Sequence, residues 1–586
     1  MATPSAATRS ERWQLAARVS EFSPSGHVTV EVDGHVVLLW RDGGRVFALD
    51  NRCPHMGFPL DQGTCADGLL TCHWHQARFD LESGGTFDSW ADDVPTFPVE
   101  VRGDDVWVST AARRDPAAYY QHRLQHGLEH NIRLVLAKTA IGLAATGGDV
   151  SAALATALDY GANNRVQGWG SGLTMLACFA RLIPQLEAED RPWALFHALD
   201  AVSRDTAGSA PRFQLEPLPG SPPPFPTLKR WFRQFVSVRD TEAAERTVAT
   251  AVQAGCSRAE LAEMLFAACT DYRYLDGGHA LDFTNRAFDA LDATGWPADV
   301  IGPALTSVVP VIADGSRAEE SSSWRRPTDL IALFERCEER LAATVAKGRP
   351  RVGSWAAGEE LAEVVLRDDP QAALEALLHA LGEGATPEQV GAAVVRAAAK
   401  RIAQFHLSNE FGDWDTVHHT FTYANAVHMA LRRLGSSDEA VQRELLRGLF
   451  DAALAVYLDR YLNVPAARLP VPRGSADVVD VLQLLDRRQQ VNEAADVVAT
   501  YTAGGGSSER LQALLGKALL REDRDFHAIQ NLEAALTQFR LQGDPLFAIA
   551  AVRYLAAHAS TPRAQAQTFR TALRLHRGDK LFEEEA

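Results

Sequence analysis

Residues 51 to 57 read Asn51-Arg52-Cys53-Pro54-His55-Met56-Gly57, and residues 72 to 75 read Cys72-His73-Trp74-His75. Sixteen residues separate His55 from Cys72, so two short loops each offer one thiol and one imidazole, as Cys-x-His and Cys-x-x-His. Two thiolates and two neutral imidazoles form a metal-binding set. Tetrahedral zinc takes the same four donors, but its usual spacings place both Cys on one short loop and both His on another. In a [2Fe-2S] cluster of mixed ligation, one iron takes both Cys and the other both His. Neutral rings in place of two negative thiolates leave the reduced cluster with less charge, so it accepts an electron more readily. Electron transfer is therefore the first chemistry to which this stretch points.

The surroundings of these residues resemble the Rieske family. Pro54 stands between the first Cys and His, Gly57 follows the pair, Trp74 lies inside the second pair, and Asp80 precedes Ser83-Gly84-Gly85. The resemblance covers about residues 11 to 110, less than a fifth of the chain. It implies a [2Fe-2S] cluster held by Cys53, His55, Cys72 and His75 at the tip of a small β domain. Both imidazoles would form the exposed edge where single electrons enter and leave. High-potential members join the two loops by a disulfide and hydrogen-bond the cluster with Ser and Tyr hydroxyls; the matching positions here are Phe58, His73, Ala77 and Phe79. Without those groups the resemblance implies a potential toward the low end of the range, as in ferredoxins that feed oxygenases and nitrite reductases. Gln76 stands where many relatives have Gly, and Cys65, between the loops, reads as a small buried thiol.

A chain of 586 residues is too long for one hydrophobic core and predicts several domains. The net charge of -17, with no basic stripe, speaks against nucleic acid as a partner. The segment Met1 to Trp13 lacks the apolar run of a signal peptide, and no stretch of about 18 apolar residues reads as a membrane span. A soluble, cytoplasmic protein with no membrane partner is expected. Of the seven Cys, two belong to the loops and five are scattered without a paired framework, which suits a reducing compartment.

Outward from the loops, Val28 to Val32 and Val36 to Trp40 flank Asp33-Gly34, and Arg45 to Leu49 follows Asp42-Gly43-Gly44; Asp-Gly between β-branched runs is a strong hairpin signal. Phe79 to Phe87 turns over Ser83-Gly84-Gly85, and Val99 to Val101 pairs with Val106 to Val108 across Gly103. The expected fold is multidomain: a small all-β domain at 11–110, a linker at Ala111 to Pro116, and then a large all-α region. The helical part divides at about residue 434, into 118–434 and 435–586. It carries a degenerate repeat of helical hairpins, whose second helices contain Leu173 to Ala180, Leu281 to Leu291 and Phe421 to Leu431. Such hairpins would pack around a shared centre. The pair Glu509 to Arg521 and Phe526 to Arg540 reads as a further hairpin, and Pro211 to Pro226 as an extended connection.

Polar residues of the helical region gather in three places: His126 and His130; Asp276-Gly277-Gly278-His279 with Asp282; and His406 to His428, with Asp415, His418 and His419 between them. One reading is a second, non-haem iron held between helices by imidazoles and carboxylates, with His279, His418 and His419 as catalytic candidates and His130 and His406 behind them. The other is that these groups satisfy one another at packed interfaces. Rieske oxygenases carry an Asp/Asn-x-x-His-x(3,4)-His iron motif in a largely β domain, and no segment here fits it. The stretch His419-Thr420-Phe421-Thr422-Tyr423-Ala424 is similar to the questin oxidase-like family of helical oxygenases, over those six residues only. Three functions follow: an oxidoreductase, monooxygenase-like, with an external electron donor (a reductase or ferredoxin) and a small-molecule substrate; a ferredoxin-type carrier whose helices form a docking scaffold; or a redox sensor.

Overall fold

The computed structural model describes residues 13–110, 116–435 and 439–579. The expected linker at Ala111 to Pro116 and the leader segment before Trp13 lie, apart from Pro116 and Trp13, outside the described residues. The chain forms two compact units, one of Met1–Val150 with Gln567–Ala586, the other of Ser151–Ala566.

The described residues of the first unit contain ten strands: β1 Trp13–Arg18, β2 His27–Val32, β3 His35–Asp42, β4 Arg45–Asp50, β5 Thr64–Ala66, β6 Leu69–Thr71, β7 Arg78–Asp80, β8 Thr96–Phe97, β9 Val99–Arg102 and β10 Asp105–Ser109. They form three antiparallel sheets, ordered β1-β10-β9, β2-β3-β4-β8 and β5-β6-β7. Asp33 and Gly34, both at positive φ, make the two-residue turn that Asp-Gly favours, and Gly43-Gly44 does the same for β3 and β4. Because side chains alternate across a strand, β3 serves two cores: Leu38 and Trp40 join Leu49, Leu70 and Phe79, while Val37 and Leu39 join Val32, Val106 and Val108. Val101 pairs with Val106 and Val99 with Val108, as read from the sequence. At Gly84, φ is +72° and a Cβ would stand 2.0 Å from the Val94 carbonyl oxygen, so only glycine fits that turn. Two helices follow, α1 Pro116–Glu129 and α2 Arg133–Ala145, and residues 567–579 complete the described part of the unit.

Among its described residues the second unit has helices and no strand. Four of its helices, Ser171–Leu182, His279–Thr294, Phe411–Arg433 and Phe526–Gln542, contact one another in a closed ring. Three of them are the second helices of the degenerate repeat, and the fourth is the second helix of the further hairpin. The shared centre expected of such hairpins is this bundle. Pro211 to Pro224 is extended between two helices, as its prolines require.

By length and composition alone the run Ala298–Glu320 qualifies as a membrane span, although the sequence reading found none. It is broken into Ala298–Ser307, Val309–Ala313 and a short turn, with Pro303 and Pro310 in its helices, and 56% of its most apolar window is buried inside the protein. That is the pattern of a core segment. All seven cysteines are free thiols, and Cys65 is half-buried rather than buried.

Candidate cluster site and histidine centre

The two loops that carry Cys53 and Cys72 share one backbone design. Cys53 N–H donates to the Phe58 carbonyl and Gly57 N–H returns to the Cys53 carbonyl, both at 2.8 Å. Cys72 N–H likewise donates to Ala77 at 2.8 Å, and Gln76 N–H returns to Cys72 at 3.0 Å. Gly57 and Gln76 occupy equivalent left-handed positions, at φ +84° and +63°. Each loop turns its amides onto its own sulfur: those of His55 and Met56 face Cys53, and those of Trp74 and His75 face Cys72.

Both sulfurs are buried and hydrogen-bonded to each other. That bond and the Trp74 and His75 amides hold the Cys72 thiol down at about 6, while the same bond and burial push Cys53 up. The imidazoles of His55 and His75 meet edge-on with centroids 4.8 Å apart, and Trp90 stands 4.6 Å from His55 on another side. His75 is exposed and His55 half-buried, its pKa lowered to about 4 by burial first and by Lys138 second. His55 Nδ1 is buried without a hydrogen-bond partner. Two adjacent buried thiols, two converging imidazoles and an orphaned ring nitrogen fit a mixed-ligand [2Fe-2S] cluster.

The histidine centre lies at one end of the four-helix ring in the second unit. His279 opens its helix after Asp276, Gly277 and Gly278, all at positive φ; at Asp276, which carries a Cβ, that conformation persists only where surrounding structure imposes it. His527 lies in the first turn of Phe526–Gln542, whose N-cap is Asp525, and His419 in the third turn of Phe411–Arg433. One nitrogen from each of His279, His419 and His527 falls in a group no more than 4.8 Å across. His419 Nε2 and His527 Nε2 are 3.0 Å apart. Nitrogens bound at about 2.1 Å and at right angles on one metal would stand about 3.0 Å apart. The opposite nitrogen of His527 meets the Asp525 carboxylate at 3.3 Å, the outer contact that fixes a ligating imidazole's tautomer. Burial holds His279 below the usual range, and burial with the neighbouring rings brings His419 to about 3. These rings are neutral at ordinary pH, the state in which imidazole binds a metal.

His418, fully buried, stands beside this trio with its ring 5.2 Å from that of His527. Its Nδ1 lies 3.3 Å from Asn531 Nδ2, and its Nε2 has no partner. Of the remaining candidates, His130, just past the end of α1, meets the His126 ring at a tilt, His406 bonds Ser408, and His428 bonds Gln538 deeper in the bundle. Asp415 accepts from the Tyr554 hydroxyl at 2.6 Å and does not meet the His418 ring. Sequence reading missed His527. Its signal was its place at the start of the second helix of a hairpin, as for His279.

A family profile described as the Rieske [2Fe-2S] domain matches residues 12–98. Among curated relatives, apoptosis-inducing factor 3 of Homo sapiens is 36% identical over 80 residues, 14% of this chain and 13% of that one. The ferredoxin component of the naphthalene 1,2-dioxygenase system of Pseudomonas aeruginosa is 27% identical over 99 residues, 17% of this chain and 95% of that one. The vanillate O-demethylase oxygenase subunit of Pseudomonas sp. (strain ATCC 19151) is 37% identical over 90 residues, 14% of this chain and 27% of that one. The chain thus spans only about an eighth of the first relative and about a quarter of the last.

Proposed function

We infer the function from residues 12–98, a Rieske [2Fe-2S] domain homologous to ferredoxin components and oxygenase subunits of oxygenase systems. We propose that the whole chain is an oxidoreductase in which Cys53, His55, Cys72 and His75 hold the cluster and His279, His419 and His527 hold a non-haem iron in the helical unit. When bound, such a cluster supplies electrons singly, drawn here from an external reductase or ferredoxin. The residues of the cluster loops bury the sulfurs and direct four amides at them, and His75 is the exposed edge for electron entry. The three imidazoles would hold such an iron, with His418 beside them, and iron held by imidazoles would supply oxygen-activating chemistry for a small-molecule substrate.

The observation that carries this reading is the group of three imidazole nitrogens, two of them 3.0 Å apart, with Asp525 behind His527. Iron and sulfide analysis of the full chain, purified without oxygen, tests it. More iron than sulfide is expected, with the excess lost in H279A/H527A while the cluster's EPR signal stays. Equal iron and sulfide in the wild type would sink the second centre. A carrier with a helical docking scaffold would then stand, a reading favoured by the match to nearly all of a ferredoxin component.

A further inference from the structure

Lys138 lies on α2, outside the matched residues 12–98. Its ammonium donates to the carbonyl oxygens of Pro54 at 2.5 Å and His55 at 3.1 Å, and pairs with Asp92 at 3.1 Å. Asp92 pairs in turn with Arg123 of α1 at 2.7 Å. The three side chains are only 15%, 12% and 8% exposed.

The two carbonyls belong to the peptide units whose other ends face the cluster site. The peptide from Pro54 to His55 ends in the His55 N–H, and the next ends in the Met56 N–H, both directed at the Cys53 sulfur. A cation on the oxygen end of a peptide polarises it and strengthens the hydrogen bond its N–H donates. Two cations and one carboxylate also leave the triad with one net positive charge. Reduction adds one electron to the cluster and breaks no bond, so the added negative charge falls on atoms that include the sulfur these amides face.

We propose that Lys138 is a tuning residue, raising the reduction potential of the cluster by holding positive charge against the oxygen ends of the Pro54 and His55 peptides. The proposal rests on the ligand assignment above. It counters in part the low potential expected from Phe58, His73, Ala77 and Phe79, because charge and polarised amides here do what hydroxyls do in high-potential members. A cavity of about 500 Å³ borders Cys53, Pro54, Arg123 and Lys138, so water screens part of the effect.

The test is an EPR-monitored redox titration of the full chain as wild type, K138Q, K138R and D92N. K138Q should have a lower midpoint with the wild-type g values, K138R a midpoint near wild type, and D92N a higher one. A K138Q midpoint at or above wild type overturns the proposal. So does an equal fall in K138R and K138Q, which would make the lysine a staple of shape and not of charge. Should K138Q fail to hold its cluster, D92N decides alone: a midpoint at or below wild type refutes the electrostatic role. A wild-type chain with no Rieske EPR signal would sink the ligand assignment itself, a failure separate from any shift among variants.

Discussion

Gln76 is the residue at which the second cluster loop departs from the first. Gly57 meets its left-handed backbone at no steric cost, whereas Gln76 carries a Cβ at φ +63°. A non-glycine residue in that region costs about 1 kcal/mol. Gln76→Gly should therefore raise the temperature at which the cluster's visible absorbance bleaches, and a lower temperature would show that the Gln side chain, which reaches the His73 carbonyl at 3.4 Å, matters more than the strain. His428 supports a prediction of a different kind. Burial holds its pKa down at about 4, against a Gln538 hydrogen bond that works the other way. The folded ring binds a proton less tightly than the unfolded one, whose pKa is about 6.5. Its contribution is complete above pH 6.5 and disappears as pH falls through 4, a loss of up to about 3 kcal/mol. The stability gap between wild type and H428Q, followed by helical circular dichroism in urea, should narrow or reverse across that window. A gap constant with pH would mean that His428 is not buried as a neutral ring.

At the scale of elements, the four central helices carry charge where a bundle usually carries leucine. Arg286, Asp282 and Asp289 project from one helix, Glu533 from another, and Arg181 from a third, and all but Arg181 are almost fully buried. Burial opposes ionisation of Glu533, yet Arg286 and Arg181 hold its carboxyl at about 2. Removing one partner of such a network strands the others, at a cost of about 3–5 kcal/mol. Glu533→Gln should lower the urea midpoint of the helical transition accordingly, and an unchanged midpoint would show that water already satisfies Arg286. The strands were legible because hairpin signals are local: Asp33-Gly34 and Gly43-Gly44 declare both the turn and the pairing. The cluster loops were legible for the same reason, each pair of donors lying within four residues. The histidine centre was legible only in part. His279 stood out beside Asp276 and Asp282, and His419 beside His418 and Asp415; His527 follows Glu522, Asp523 and Asp525 closely, yet it meets the other two only through packing of distant helices. The i, i+4 pair His126 and His130 carried the sharper local pattern and lies at the end of α1, with His130 just past its last residue, in the other unit. Lys138 gave one signal, a cation in the middle of the helix Arg133–Ala145 whose other interior residues are uncharged, and nothing in the sequence said that it would reach the Pro54 carbonyl.

For the molecule as a whole, each unit holds one of the two proposed centres, and the donors of each come from one unit alone. Cys53, His55, Cys72 and His75 belong to the first, and His279, His419 and His527 to the second. Each unit also has its own buried core, built from strands in one and from helices in the other. Losing one set of donors should therefore leave the other set and its fold in place. In the full chain, Cys72→Ser should abolish sulfide and the cluster's EPR signal while the helical circular dichroism and an iron bound without sulfide persist. H279A/H527A should do the reverse, keeping iron and sulfide in equal amounts. If C72S instead emptied both centres, the excess iron would belong to the cluster loops, and the imidazoles at the end of the bundle would be a hydrogen-bonded trio with no metal. If C72S kept its iron but electrons from a chemical reductant no longer changed that iron's spectrum, the cluster would be the route by which the helical unit is reduced. Reduction of the helical iron at the same rate in C72S and wild type would assign the two centres to separate electron paths.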